Sequence, residues 1–119
     1  MKSILIILNH EPTEEQLQQL TKMGYQETIF IKHPIIDPKL EMEDVIDIFL
    51  NIVEGKVFDA LWVQGDFRFF IAAYRFASDF NVPLYIATTH REAKEIVQPD
   101  GSVKKISVFR HVKFVEVTE

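Results

Sequence analysis

Apolar residues run unbroken from Ile4 to Leu8. A run without polar alternation is the pattern of a strand covered on both faces, as in parallel sheets. The strand is predicted over Ser3 to Leu8, and Asn9-His10-Glu11-Pro12 interrupts it. Thr13-Glu14-Glu15-Gln16 then has the form of a capping box, with Thr13 at the N-cap and Gln16 at N3. Leu17, Leu20 and Met23 supply that helix with an apolar stripe, and Gly24 ends it. A second, short strand is predicted over Thr28 to Ile31, followed by a loop holding Pro34 and Pro38. Met42, Val45, Ile46, Phe49 and Val53 recur at helical spacing until Gly55. Ala60 to Val63 reads as a third strand, Phe67 to Phe80 as a third helix and Val82 to Ala87 as a fourth strand. The polar segment Thr88-Thr89-His90-Arg91 that follows is expected to be a loop.

The tail has a different pattern. Glu92 to Gln98 and Val103 to Phe109 flank Pro99-Asp100-Gly101, a turn signal that predicts a hairpin or ribbon. Val112 to Val117 reads as a further strand. Strands alternating with helices predict right-handed crossovers and a doubly wound, mainly parallel α/β sheet with this C-terminal β-hairpin. In the usual order for a small domain of this kind the first strand lies between the second and the third. Ligands then gather beyond the carboxyl ends of the strands, where the order reverses. Asn9-His10, Gln64-Gly65-Asp66 and Thr88 to Arg91 each follow a strand, so all three are expected on one rim.

Composition narrows what the rim can hold. The 119 residues are read as one domain, 1–119, and 47% of them are hydrophobic, enough for a buried core. No apolar run is long enough for a membrane helix, and the start runs into Ile4–Leu8 without a signal-peptide pattern. With no cysteine, disulfides and thiolate zinc sites are excluded, and a cytoplasmic location is expected. The formal charge of −5 argues against a duplex nucleic-acid coat, which needs excess Lys and Arg. It leaves room for a small anion held by a local positive cluster.

Among the rim residues, Asp66 suits the N-cap of the third helix. Gly65 beside the free N–H groups of that helix start suits close approach of an anion. His10 follows a buried strand and can shuttle a proton or donate to a phosphate oxygen. His33, before a proline in a loop, is expected to be exposed, and His111, in the strand-rich tail, to make a structural hydrogen bond. Thr88, Thr89, His90 and Arg91 place two hydroxyls, an imidazole and a guanidinium within four residues, a set that suits a tetrahedral anion. An ordinary loop with a salt-bridging arginine would look the same. No histidine pair at i, i+4 and no carboxylate triplet occurs, so no metal site is expected. G-x-G-x-x-G, Walker, Ser-elbow and Cys-nucleophile motifs are absent, which sets aside nicotinamide dinucleotides and P-loop ATP hydrolysis.

The third helix holds five of the ten phenylalanines. A helix packed on one sheet face needs an apolar stripe rather than an apolar surround. The excess predicts a second buried face, most simply in a two-fold homodimer, which would bring two copies of the rim together.

The runs "ILNHEPTEEQLQQL", "VQGDF", "ATTHREAKE" and "PDGSVKKISVFRHVKF", in that order along nearly the whole chain, resemble the small stand-alone CRISPR-associated Csx-type ring nucleases, in particular the group numbered twenty. The resemblance implies a Rossmann-like fold related to CARF domains, no cofactor, and a homodimer acting on cyclic tetra-adenylate, the second messenger of type III CRISPR systems. Linearising that molecule would switch off the nucleases it activates. Carried over to this chain, the motif positions are Asn9, His10, Gln64, Asp66, Thr89 and Arg91. The family often has lysine where this chain has His90. His10 is the first choice for proton transfer and Asp66 the rival. Arg91 and the amides after Gly65 would offset charge on the phosphoryl oxygens, and Gln64 and Thr89 would position ribose or phosphate. Phe67 would either stack on adenine or sit in the core. A binding protein that sequesters the messenger without cutting it would draw on the same residues. A receiver-like signalling domain fits less well, because Asn9-His10 stands where an acidic pair should bind magnesium.

Overall fold

A computed structural model describes residues 1–118 of the chain. Within them lie β1 (Lys2–Leu8), α1 (Glu14–Lys22), β2 (Tyr25–Lys32), α2 (Met42–Val53), β3 (Ala60–Val63), α3 (Phe67–Phe80), β4 (Leu84–Val97) and β5 (Val103–Glu116). The five strands of these described residues form one sheet in the order β2-β1-β3-β4-β5. β1 is parallel to both β2 and β3, and β3 is parallel to β4. β4 and β5 are antiparallel. The class is therefore α/β, mostly parallel, with a C-terminal hairpin.

The unbroken apolar run of β1 is explained by its position between two layers. Ile4, Ile6 and Leu8 pack with Leu20 of α1 and with Trp62 on one face of the sheet. Leu5 and Ile7 pack with Val45 and Phe49 of α2 and Phe69 of α3 on the other. Successive strand residues point to opposite faces, so every position of such a strand has to be apolar. The capping box of α1 is present: Thr13 Oγ1 accepts from Gln16 N at 3.2 Å and Gln16 Oε1 accepts from Thr13 N at 2.9 Å. Ala72, Ala73 and Ala77 are buried against the sheet, and their small side chains let α3 lie close to it. Asn81, at φ 54°, ends this helix in the left-handed conformation, a role to which asparagine is suited. On the α1 side the hydroxyls of Tyr25 and Tyr85 lie 3.1 Å apart. Burial first, and the Tyr85 bond second, hold the Tyr25 phenol above its ordinary pKa.

Four sequence-based boundaries are corrected. β2 begins at Tyr25 rather than Thr28, because the buried Tyr25 ring anchors it to the α1-side core. The fourth strand begins at Leu84 rather than Val82. The segment Thr88–Arg91 is not a loop: β4 runs through it without a break to Val97. The two tail strands predicted over Val103–Phe109 and Val112–Val117 are one strand, β5. Pairing runs from Tyr85↔Glu116 to Val97↔Val103, with a shift between Thr88↔Lys113 and Thr89↔His111 that leaves Val112 as an extra residue. Ladder hydrogen bonds use the main chain, so they hold a polar sequence extended as readily as an apolar one. The bulge absorbs the odd residue, keeping both strands continuous.

The β4–β5 ribbon projects from the body. The molecule measures 57 × 39 × 23 Å with a radius of gyration of 17.4 Å, against roughly 13–14 Å for a chain of this length folded about a single centre. Among the described residues none after Leu84 is buried. No helix of the described residues is long and apolar enough to cross a membrane.

Candidate functional site

A cavity of about 430 Å³ opens at the carboxyl ends of β1 and β3, between the start of α1 and the root of the ribbon. Asn9 and His10 come to it from the end of β1, and Gln64 and Gly65 from the end of β3. Thr89 comes from β4, and His111 from β5. It sits where β1 is flanked on its two sides by β2 and β3, the reversal point of the strand order.

His10 is exposed, and its Nδ1 lies 3.0 Å from the Glu11 carbonyl oxygen. That oxygen can only accept, so Nδ1 carries the hydrogen and donates. In the neutral ring Nε2 is then left as the basic nitrogen.

Gln64 is committed to the framework. Its Oε1 accepts from Trp62 Nε1 at 2.7 Å and from Ala87 N at 2.8 Å, while its Nε2 donates to Ala87 O at 3.3 Å. Backbone pairing of β3 with β4 covers only Leu61↔Leu84 and Trp62↔Tyr85, so the Gln64 amide continues the ladder where the main chain stops. Gln64 thereby fixes the root of the ribbon against the end of β3.

Gly65 does not leave open space for a ligand at its Cα. Its φ is +154°, and a Cβ built there would lie 2.5 Å from His33 Cδ2. The His33 ring fills that space. Contrary to the sequence expectation, His33 is buried at 6% exposure. Its Nδ1 donates to Pro34 O at 2.6 Å, its Nε2 accepts from Asp66 N at 3.4 Å, and its ring meets Phe69 edge-on at 4.5 Å. His33 therefore shapes the turn after β3 from beneath.

Asp66 is placed away from the cavity. It caps α3, accepting from Arg68 N at 2.8 Å and Phe69 N at 3.2 Å. It also pairs with the Arg68 guanidinium at 3.3 Å. The Arg68 side-chain bond first, and the two cap bonds after it, hold the carboxyl below its ordinary pKa. Arg68 also donates to Leu40 O at 2.8 Å, so this cluster ties α3 to the segment before α2.

The strand geometry of Thr88–Arg91 splits the expected four-residue cluster. Thr89 lines the cavity, and alternation places Arg91 on the same face. Thr88 and His90 fall on the opposite face, where Thr88 Oγ1 donates to Lys113 O at 3.0 Å. The Arg91 guanidinium donates to Ser107 Oγ from Nε at 3.1 Å and Nη2 at 2.9 Å, and lies 5.8 Å from the Phe109 ring centroid. The cavity thus brings together Asn9, His10, Gln64, Gly65 and Thr89, and Arg91 stands just beyond it. Phe67 is 86% exposed, so it is not a core residue. With Phe70 and Ile86 it lines a separate groove that meets the cavity at Gln64-Gly65.

Trp62, Phe109 and His111 also line the cavity, and the sequence pattern did not place them there. His111 Nε2 is hydrogen-bonded to Gln19 Oε1, which ties β5 to α1. Its Nδ1 is buried without a partner among the described residues. The signal that would have found Phe109 and His111 is the β4–β5 register, since Thr89 pairs with His111 and Arg91 with Phe109.

Electrostatically the ribbon and the body differ. Residues 89–113 hold six Lys and Arg against three Asp and Glu, a net of +3, which leaves −8 for the rest of the −5 chain. The cavity lies at the junction: among the described residues no Lys or Arg lines it, Glu15 is its one carboxylate, and the basic groups of the ribbon stand beyond its wall.

A family model described as the uncharacterized protein MJ1673 family matches residues 2–115, and the chain belongs to that family. No curated protein gives a match.

Proposed function

We propose that the protein is a ring nuclease of the type III CRISPR signalling pathway, which binds cyclic tetra-adenylate in the cavity at the ends of β1 and β3 and linearises it. The observation that carries this reading is the cavity itself. It lies at the reversal point of a parallel sheet, the place where such sheets bind nucleotides. It is lined by imidazole, amide and hydroxyl groups together with the Glu15 carboxylate, and the basic ribbon borders it. The helices on both faces of the sheet and the order β2-β1-β3-β4 support a Rossmann-like, CARF-like fold. The sequence resemblance supplies the substrate.

In this reading a ribose 2′-hydroxyl attacks the adjoining phosphorus, the P–O5′ bond breaks, and a 2′,3′-cyclic phosphate remains. The substrate supplies its own nucleophile, so no metal is required to generate one. The protein has to hold the hydroxyl in line with the leaving oxygen and move one proton. His10 Nε2, left free by the Nδ1 bond to Glu11, takes that proton from the 2′-hydroxyl, and a proton is returned to the departing O5′, which leaves as a hydroxyl. Asp66 yields the role because its carboxylate is engaged by the α3 amides and Arg68. Asn9 and Thr89 orient ribose or phosphate, and Gln64 holds the site's two walls in register. Arg91 supplies positive potential from its place beside the cavity. Phe67, Ile71 and Tyr74, spaced as one stripe on α3 and exposed at 86%, 44% and 42%, suit the contact of a two-fold homodimer.

A second reading, sequestration without cleavage, is favoured by one observation: both Arg91 and Asp66 already have partners within the chain. The two readings separate when purified protein is incubated with cyclic tri-, tetra- and hexa-adenylate in EDTA and the products are weighed by mass spectrometry. Linear di-adenylate ending in a cyclic phosphate is expected from the tetramer. Tight binding with intact tetramer would establish sequestration, and no binding would remove both readings. His10→Ala is expected to keep the affinity and slow cleavage by about 10²-fold or more. An equally fast variant would take the base role from His10.

A further inference from the structure

Phe109 is a large aromatic residue left 66% exposed on the wall of a cavity whose other large apolar lining residues, Leu8 and Trp62, belong to the buried core. A solvent-facing phenyl ring gains nothing from the body's core, and β5 is held in place by its ladder with β4 without it. The ring is nonetheless fixed from behind. Arg91 lies 5.8 Å from its centroid and is itself locked by two bonds to Ser107. Ser107 lies two positions farther out along β5, and Arg91 does not line the cavity. The guanidinium is thus held toward Ser107, and Phe109, which lines the cavity, keeps most of its surface exposed. A cation on one side of an aromatic ring and an electron-poor heteroaromatic plane on the other is a favourable stack.

We infer that Phe109, backed by Arg91, is a stacking platform for one purine base of a phosphate-bearing ligand whose phosphodiester lies deeper in the cavity. This deepens, and rests on, the reading of the cavity as a nucleotide site. Thr89 and His111, the next cross-strand pair inward on the same face of the ribbon, line the cavity together with Phe109 and His10. A base at the mouth and a phosphate within then occupy a cavity of about 430 Å³, which is ample for a nucleotide unit and too small to enclose a whole cyclic tetramer. One nucleotide is gripped while the remainder of the larger ligand extends outward, along the positive ribbon or into a second copy.

The test uses three probes on the whole protein: cyclic tetra-adenylate, adenosine 5′-monophosphate and ribose 5-phosphate, which lacks the base. Phe109 is exposed, so its replacement leaves the fold intact, which circular dichroism checks. Phe109→Ala is expected to weaken both adenine ligands about tenfold, the usual consequence of losing a base–aromatic stack, while ribose 5-phosphate binding is unchanged. Phe109→Trp is expected to retain affinity and, against the Trp62 signal of the parent as background, to show additional indole fluorescence quenched by the adenine ligands and not by ribose 5-phosphate. If the parent binds the monophosphate with this base dependence but neither binds nor cuts the cyclic tetramer, the platform stands and the ring-nuclease reading fails. Equal binding of all probes by Phe109→Ala and the parent would overturn the platform. So would a matching loss of monophosphate and ribose 5-phosphate binding, which would mean that Phe109 only shapes the cavity, or failure of the parent to bind the monophosphate at all.

Discussion

The body and the ribbon of this chain are stabilised in different ways, and the cavity lies where they meet. The body, up to Leu84, holds every buried hydrophobic residue among those described, in two clusters on either side of one sheet. The ribbon beyond it has no core. It is held by cross-strand pairing, the Glu92–Arg110 ion pair at 3.5 Å, and anchors at its root through Gln64 and Gln19. The body is acidic and the ribbon basic. Large apolar burial makes the body stable enough to position His10 and Asn9. The ribbon, free of core constraints, can spend its side chains on charge and on an exposed phenylalanine. Core burial on one side and main-chain pairing on the other is the difference between the two regions.

The largest expected effect tests that division directly. Phe49→Ala removes a fully buried ring from between α2 and α3 and is expected to cost roughly 3–5 kcal/mol in urea unfolding. Phe109→Ala removes the same atoms from the ribbon and is expected to change stability by no more than about 0.5 kcal/mol. Comparable losses would show that the ribbon carries a share of the folding energy, and the contrast drawn above would be wrong.

An intermediate effect sits at the boundary. Gly65→Ala has to find room against His33 at a φ of +154°, and it is expected to destabilise by roughly 1–3 kcal/mol. Removing the obstacle with His33→Ala should recover part of that loss in the double variant, since contacting residues couple. The backbone strain remains, so recovery should be incomplete. If the two losses simply add, the ring of His33 is not what demands glycine.

These two residues also mark what the sequence made legible. The body could be read because its patterns have physical causes that act locally: the doubly covered β1, the capping box at Thr13, and the helical spacing from Met42 to Val53. The reversal-point rule then brought Asn9, His10 and Gln64 to one rim. The glycine in "VQGDF" stands out in the sequence, but its cause does not. Gly65 accommodates a histidine 32 positions earlier in the chain, a contact that no local pattern encodes. The ribbon is less legible for a complementary reason. Thr88-Thr89-His90-Arg91 has neither alternation nor an apolar run, and its extended form is imposed by main-chain bonds to β5. Reading it as a loop put four side chains on one anion, where the strand gives two to each face. The same error hid Phe109 and His111, which the register places opposite Arg91 and Thr89.

The smallest effect concerns the cap that the sequence placed at Asp66, and it is resolved through pH. The folded-state pKa of Asp66 is lowered, chiefly by the Arg68 bond and then by the amides of α3. Its stabilising contribution is therefore complete above the unfolded carboxylate pKa of about 3.9. It is lost as pH falls through the lower folded value. The Asp66 side chain is 29% exposed, so screening keeps the ion pair worth only about 0.2–1 kcal/mol. Asp66→Asn keeps a good N-cap but has no charge to titrate. At pH 7 its urea midpoint should lie slightly below the parent's, and the gap should close between about pH 4 and pH 2. Parallel acid limbs for the two proteins would mean that the Asp66 charge contributes nothing through Arg68, and that the residue serves α3 as a neutral cap would. A gap confined to low pH would reverse the sign and place the carboxylate in a repulsive setting. Asp66→Ala, which removes cap and charge together, should lose about 1 kcal/mol more at every pH, so the difference between the two variants measures the cap alone.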